Sequence, residues 1–230
     1  MSDNEEDNSI IKYSGNYGDI TLESKFWDDL EDYGEKKLLN LKIRKIRIYS
    51  GKFNDKNAIF GIGFTYKDLS NGKEIVAEHK GSDDFVDVQD FVIKQDEYLT
   101  DFHMRLTTGG EYISQLGYST NKGNLILIGS EEGEDMNFTF NGGENVIIGT
   151  FGCFNKKLDA TGVLFINKKE YFKRLLNGIF ILRYLVKNKP KFKEEWDKKQ
   201  KDLPLDFQFI WRAVNLPEDR LLFQIIKFTI

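Results

Sequence analysis

Gly149-Thr150-Phe151-Gly152-Cys153-Phe154-Asn155-Lys156-Lys157-Leu158-Asp159-Ala160-Thr161-Gly162-Val163 reads as one strand, a short polar turn closing in Leu-Asp, and a second strand. Apolar residues bracket the turn on both sides, and Asn155 is a residue that tolerates a left-handed backbone there. Outward toward the N-terminus, from about Ile10 to Ile166, short β-type runs are punctuated by Gly, Asn and Asp, the spacing of an all-β sandwich, barrel or prism. Leu41 to Tyr49, Ala58 to Tyr66, Tyr112 to Tyr118, Asn124 to Ile128 and Val146 to Phe151 are the clearest strands. In the first of these the apolar residues keep a period of two except for a slip at Arg44 and Lys45, which predicts one buried face and a bulge. Trp27, Ile46, Ile48, Phe60, Phe64, Leu116 and Val163 are expected inside. Gly61-Ile62-Gly63 lies within a strand, where glycine permits close packing rather than phosphate binding.

After Asn167 the texture changes. Phe172, Leu175, Leu176, Ile179, Phe180 and Val186 follow helical spacing up to Pro190, and Phe207, Ile210, Trp211 and Val214 repeat it after Pro204, although alternation through Phe207, Phe209 and Trp211 also fits a strand. Pro217, Glu218 and Asp219 suit the first turn of a last helix. Lys187 to Lys201 reads as a solvated connector. Three segments are therefore expected: an acidic disordered tail over 1–9, a β domain over 10–167, and a basic, mostly helical extension over 168–230. Charge divides the same way: residues 1–167 carry 18 Lys and Arg against 29 Asp and Glu, net −11, and residues 168–230 carry 15 against 8, net +7, together the −4 of the whole chain. A basic, apolar-rich extension is expected to meet an acidic protein surface.

The 230 residues are 40% hydrophobic and 14% aromatic, enough for a substantial core. The acidic start does not resemble a signal or transit peptide, and the apolar stretch near Leu175 to Val186 is well short of the ~20 residues that span a bilayer. A cytoplasmic, intracellular protein without a membrane span is expected. One cysteine, Cys153, excludes an internal disulfide and a cysteine-based zinc site within one chain. No dinucleotide or phosphate-loop fingerprint occurs, His79 and His103 lie on separate elements with no displayed nucleophile, and nothing favours nucleic acid. No enzyme, metal or cofactor is expected.

Several pieces together resemble one family. Phe26-Trp27-Asp28-Asp29, Asp96-Glu97-Tyr98-Leu99, the strand Ile113 to Lys122 with its Thr120-Asn121, and the closing hairpin with Leu158-Asp159-Ala160-Thr161-Gly162 follow the order and spacing of a jacalin-related lectin over about 155 residues. The resemblance implies a β-prism of three four-stranded antiparallel sheets that binds sugar by loops at one end, without a catalytic step or a metal. It also implies a site. The family's Gly-x-x-x-Asp loop stands here as Asn155, Lys156, Lys157, Leu158 and Asp159; the glycine three residues before the aromatic-Asp-Asp is Ser24; and the aromatic beside the sugar ring in some members corresponds to Gly110 or Glu111.

Ser24, Gly110, Glu111, Asn155, Lys156, Lys157 and Asp159 are thus the carbohydrate-binding candidates, three of the family's sugar-facing features being altered. Asn155 is expected to keep the loop shape, and Asp159 to offer an exposed carboxylate to hydroxyls while contributing little to folding. Lys156 and Lys157 read as solvated turn residues whose charge suits an anionic sugar or a protein acid. Asp28 and Asp29 read as turn residues rather than a catalytic pair, and Asp159 as either a sugar ligand or a pin for its own hairpin. Two functions follow: a carbohydrate-binding module with a partly altered site, or a structural or adaptor subunit that uses the prism as a rigid block and the extension for docking.

Overall fold

The structure is a computed structural model, and it describes residues 9–69, 71–83, 87–94, 96–107, 112–131, 134–136, 144–174 and 186–199. The chain divides between Asn167 and Lys168 into two units. The first is built from β1 (Lys12–Tyr13), β2 (Tyr17–Gly18), β3 (Lys25–Asp28), β4 (Leu41–Phe53), β5 (Lys56–Asp68), β6 (Glu74–Lys80) and β7 (Asp87–Val92). It continues with β8 (Leu99–Leu106), β9 (Ile113–Thr120), β10 (Leu125–Gly129), β11 (Glu134–Met136), β12 (Asn145–Phe154) and β13 (Leu158–Asn167).

One four-stranded sheet runs β6-β5-β4-β7. The expected second and third sheets are joined: a nine-stranded sheet holds β11-β8-β9-β10 and β3-β12-β13, with β1 and β2 both lying along β13, and a single bridge, Ile147 to Leu99, connects the two halves. The paired strands are antiparallel throughout.

Local chemistry explains the longest hairpin. Asn54 and Asp55, at φ 50° and 62°, join β4 to β5 in a two-residue turn whose positive φ values match the right-handed twist of the strands. The slip expected at Arg44 is present as a register shift between Ile43 and Lys45. Ile46, Ile48, Phe60, Phe64, Leu116, Val163 and Trp27 are all buried. Phe64 of β5 meets Tyr118 of β9 edge-on, with ring centroids 6.1 Å apart, which binds the four-stranded sheet to the larger one.

Two short helices, Asp29–Tyr33 and Glu35–Leu38, interrupt the all-β expectation. Asp28 begins the first by accepting from the backbone N–H of Leu30 at 2.7 Å, the work of an N-cap. In the second unit, residues 168–174 are helical, and the lysine-rich segment expected as a connector forms the helix Pro190–Lys199. Proline suits the first helical position because its missing N–H would have no partner there, so Pro190 opens a helix instead of only closing one. The expected helical stretches within 175–185 and 200–230 lie outside the described residues, as do residues 1–8. Among the described residues, no helix is long and apolar enough to cross a membrane.

Candidate functional site

The β12–β13 turn at residues 155–157 is fixed from two sides by close backbone approach. Ser82 donates its N–H to the Lys156 carbonyl at 2.9 Å, and a Cβ on Gly81 would come within 2.3 Å of that carbonyl group. On the other side Asp19 donates its N–H to the Asp159 carbonyl at 3.1 Å, and Gly18, at φ +127°, leaves no room for a side chain against the same oxygen. Only glycine permits either approach.

These contacts bring the 19–24 loop onto the hairpin. Thr21 and Ser24 close the loop on themselves, the Thr21 N–H donating to Ser24 Oγ at 3.1 Å and the Ser24 N–H to the Thr21 carbonyl at 3.1 Å. Ser24 Oγ then donates to Asp159 Oδ2 at 2.8 Å, joining residues 135 positions apart. Lys157 Nζ donates to the other oxygen, Oδ1, at 2.8 Å. The same ammonium lies 5.2 Å from the centre of the Tyr112 ring and 6.0 Å from that of Phe53, within cation–π range of both. Asn155 Nδ2 donates to Glu23 Oε2 at 3.2 Å, a further tie between turn and loop.

Three expectations are corrected here. Asp159 is 1% exposed, so it is not a free surface carboxylate and its loss would be felt in folding. Lys157 is not a solvated turn residue: its side chain is 12% exposed and its charge is spent on Asp159, leaving Lys156 as the exposed lysine of the pair. Asn155 does not have a left-handed backbone; among the described non-glycine residues only Asn54 and Asp55 have positive φ. Its place in the turn is held by its side chain and by its backbone N–H, which donates to the Lys157 carbonyl at 3.1 Å. Gly110 and Glu111 lie outside the described residues. The aromatic walls of the corner, Tyr112 and Phe53, were missed: Tyr112 follows Glu111 directly, and Phe53 comes from the β4–β5 hairpin tip, which nothing local ties to the 155–159 turn.

Elsewhere the candidates for chemistry resolve as structure. Asp29 is fully buried, accepting from the Thr150 N–H at 2.8 Å and from the Tyr66 hydroxyl. Burial pushes its pKa up from 3.8 to about 6 against those two hydrogen bonds. His79 stacks on Trp27 with ring centroids 4.6 Å apart, and burial lowers its pKa to about 4. His103 meets Ser119 Oγ at 3.2 Å. Among the described residues no group of three or more His, Cys, Asp or Glu side chains is arranged to hold a metal ion. An open hollow of about 440 Å³ lined by Tyr33, Lys36, Lys37, Asn40 and Asp68 shares no residue with the corner.

The jacalin-like lectin domain model matches residues 14–164. The chain belongs to that family. Its members are carbohydrate-binding proteins without catalysis. The fold is similar to that of Malaysian banana lectin, at 20% identity and a TM-score of 0.52 over 68% of this chain and 99% of that one. It is also similar to a mannose-binding jacalin-related lectin from Ananas comosus, at 20% identity and a TM-score of 0.50 over 69% and 99%. Artocarpin, solved in complex with methyl-α-mannose, matches at 20% identity and a TM-score of 0.51 over 69% and 99%. No curated protein matches the sequence.

Proposed function

We propose that this chain is a carbohydrate-binding module that receives sugar hydroxyls at the corner of Ser24 and Asp159. The observation that carries the reading is the match of residues 14–164 to the jacalin-like lectin domain; within it the Asp159 carboxylate accepts a hydroxyl, that of Ser24, at 2.8 Å. Tyr112, 4% exposed in a core cluster with Tyr49, Ala58 and Phe60, and Phe53 packed against that cluster back the corner on its apolar side. The mannose binding of the Ananas comosus lectin and the methyl-α-mannose complex of artocarpin make neutral hexoses the first ligands to try. An anionic sugar gains less than the sequence suggests, because the Lys157 charge is already neutralised. A free, buried Cys153 fits an intracellular, reducing compartment. The test is a glycan array on the full chain beside Asp159→Asn: binding that disappears in the variant supports the site, and binding that persists moves it elsewhere.

A second reading, a structural or adaptor subunit, is favoured by the burial of Asp159 and the use of both its oxygens inside the chain. In that reading the corner is a pin, and the basic residues 168–230 dock an acidic protein surface. A full chain that binds no glycan but retains a salt-sensitive protein partner would support it.

A further inference from the structure

We infer that Lys157 is a displaceable stopper in the sugar site, an autoinhibitory contact that a hexose must push out before it can bind; this rests on the carbohydrate reading above. Lys157 covers the carboxylate oxygen that a sugar needs. Its ammonium takes Asp159 Oδ1 at 2.8 Å, and the same group stands over the faces of Tyr112 and Phe53. A sugar hydroxyl would compete for that same carboxylate oxygen, so sugar and lysine exclude each other. The neighbouring Lys156, with the same side chain in the same turn, is exposed, so the placement of Lys157 comes from this corner and not from lysine's general habits.

The contact opens by exchange for another donor to the carboxylate. A lysine makes one point contact with the carboxylate through a flexible four-carbon stem, and its ammonium is strongly hydrated when released. Its side chain keeps 12% of its surface in solvent, which gives it a way out, while Asp159 keeps 2%. Ser24 holds Oδ2 throughout, so the carboxylate stays oriented while the lysine leaves. The closed arrangement reduces apparent affinity by the fraction of time the corner is open.

The experiment titrates methyl α-mannoside, methyl α-glucoside and methyl α-galactoside into the full-length wild type, Lys157→Met and Lys157→Met/Asp159→Asn by calorimetry. Methionine keeps the length and apolar stem without the charge. The expected result is that Lys157→Met binds at least one hexoside about tenfold or more tightly than the wild type, and that the double variant loses the gain. Equal or weaker binding by Lys157→Met overturns the stopper while leaving the carbohydrate reading intact. Absence of binding by both the wild type and a folded Lys157→Met overturns the carbohydrate reading, and the stopper with it. Should Lys157→Met fail to fold, the wild type decides through proton exchange at the Lys157 ammonium, followed by 15N NMR. Exchange is expected to be slow in the free protein and to accelerate on saturation with the hexoside; unchanged protection in the sugar-bound protein overturns the stopper.

Discussion

Asp29 and Asp159 are both buried, 0% and 1% exposed, yet the chain compensates them differently. Asp29 sits where the two sheets meet and is met by neutral donors: the Thr150 N–H and the Tyr66 hydroxyl share Oδ2, and Oδ1 has no hydrogen-bond partner. Asp159 sits at the loop end and is met by a hydroxyl and an ammonium, one on each oxygen. Neutral donors reduce the cost of burying a carboxylate without cancelling its charge, so burial wins and Asp29 holds its proton up to about pH 6. A counter-charge at Asp159 makes the pair a unit, in which either partner without the other is an uncompensated buried ion.

The largest effect is expected where that unit is broken. Lys157→Ala should cost about 3–5 kcal/mol of stability, because it strands a buried carboxylate. Replacing both partners together, as in Lys157→Met/Asp159→Leu, should cost much less. Urea unfolding of the three proteins checks this, and a Lys157→Ala curve superimposable on the wild type would show that the pair adds nothing.

Next in size is the pH dependence contributed by Asp29. A carboxyl whose folded pKa lies above its unfolded value binds its proton more tightly when folded; its stabilising contribution is complete below about pH 3.8 and is lost as pH rises through about 6. At about 1.4 kcal/mol per pH unit the loss comes to about 3 kcal/mol. Measured against Asp29→Asn, which does not titrate, the wild type should lose this amount between pH 4 and pH 7; a flat difference would place the Asp29 pKa near its ordinary value.

Tyr66→Phe tests the donor side of the same cluster. Removing a hydrogen bond to a charged group should cost about 1.5–3 kcal/mol at pH 7 and push the Asp29 pKa further up, visible as a shift in its carboxyl 13C titration. The smallest effect belongs to a pair in solvent. Arg47 donates to Asp90 at 2.6 and 2.9 Å and to Glu78 at 3.2 Å, all on the outer face of the β4 sheet, and the Asp90 pKa is held down to about 2 chiefly by the Arg47 bond. Arg47→Met should nevertheless cost less than about 1 kcal/mol, and less again in high salt, since exposed ion pairs are screened. A larger loss there than at Lys157 would reverse the comparison.

What the sequence determined by itself is the mainly β fold and its strands. Alternation in β4, its slip at Arg44, the apolar strands on both sides of 155–157 and the seven expected core residues are local patterns, because a strand shows its buried face every second residue whatever it packs against. The aromatic-Asp-Asp segment was legible in part: Asp28 acts in its own turn, whereas the burial of Asp29 depends on Tyr66 and Thr150 from distant strands. Only the tertiary structure decided the corner. Lys156 and Lys157 are indistinguishable in the turn, and what separates them is Tyr112, Phe53 and Ser24, brought in by other elements. Whether a carboxylate is offered to solvent or consumed internally is set by which groups the folded chain places within about 3 Å of it, and such distances are carried by no local pattern of residues.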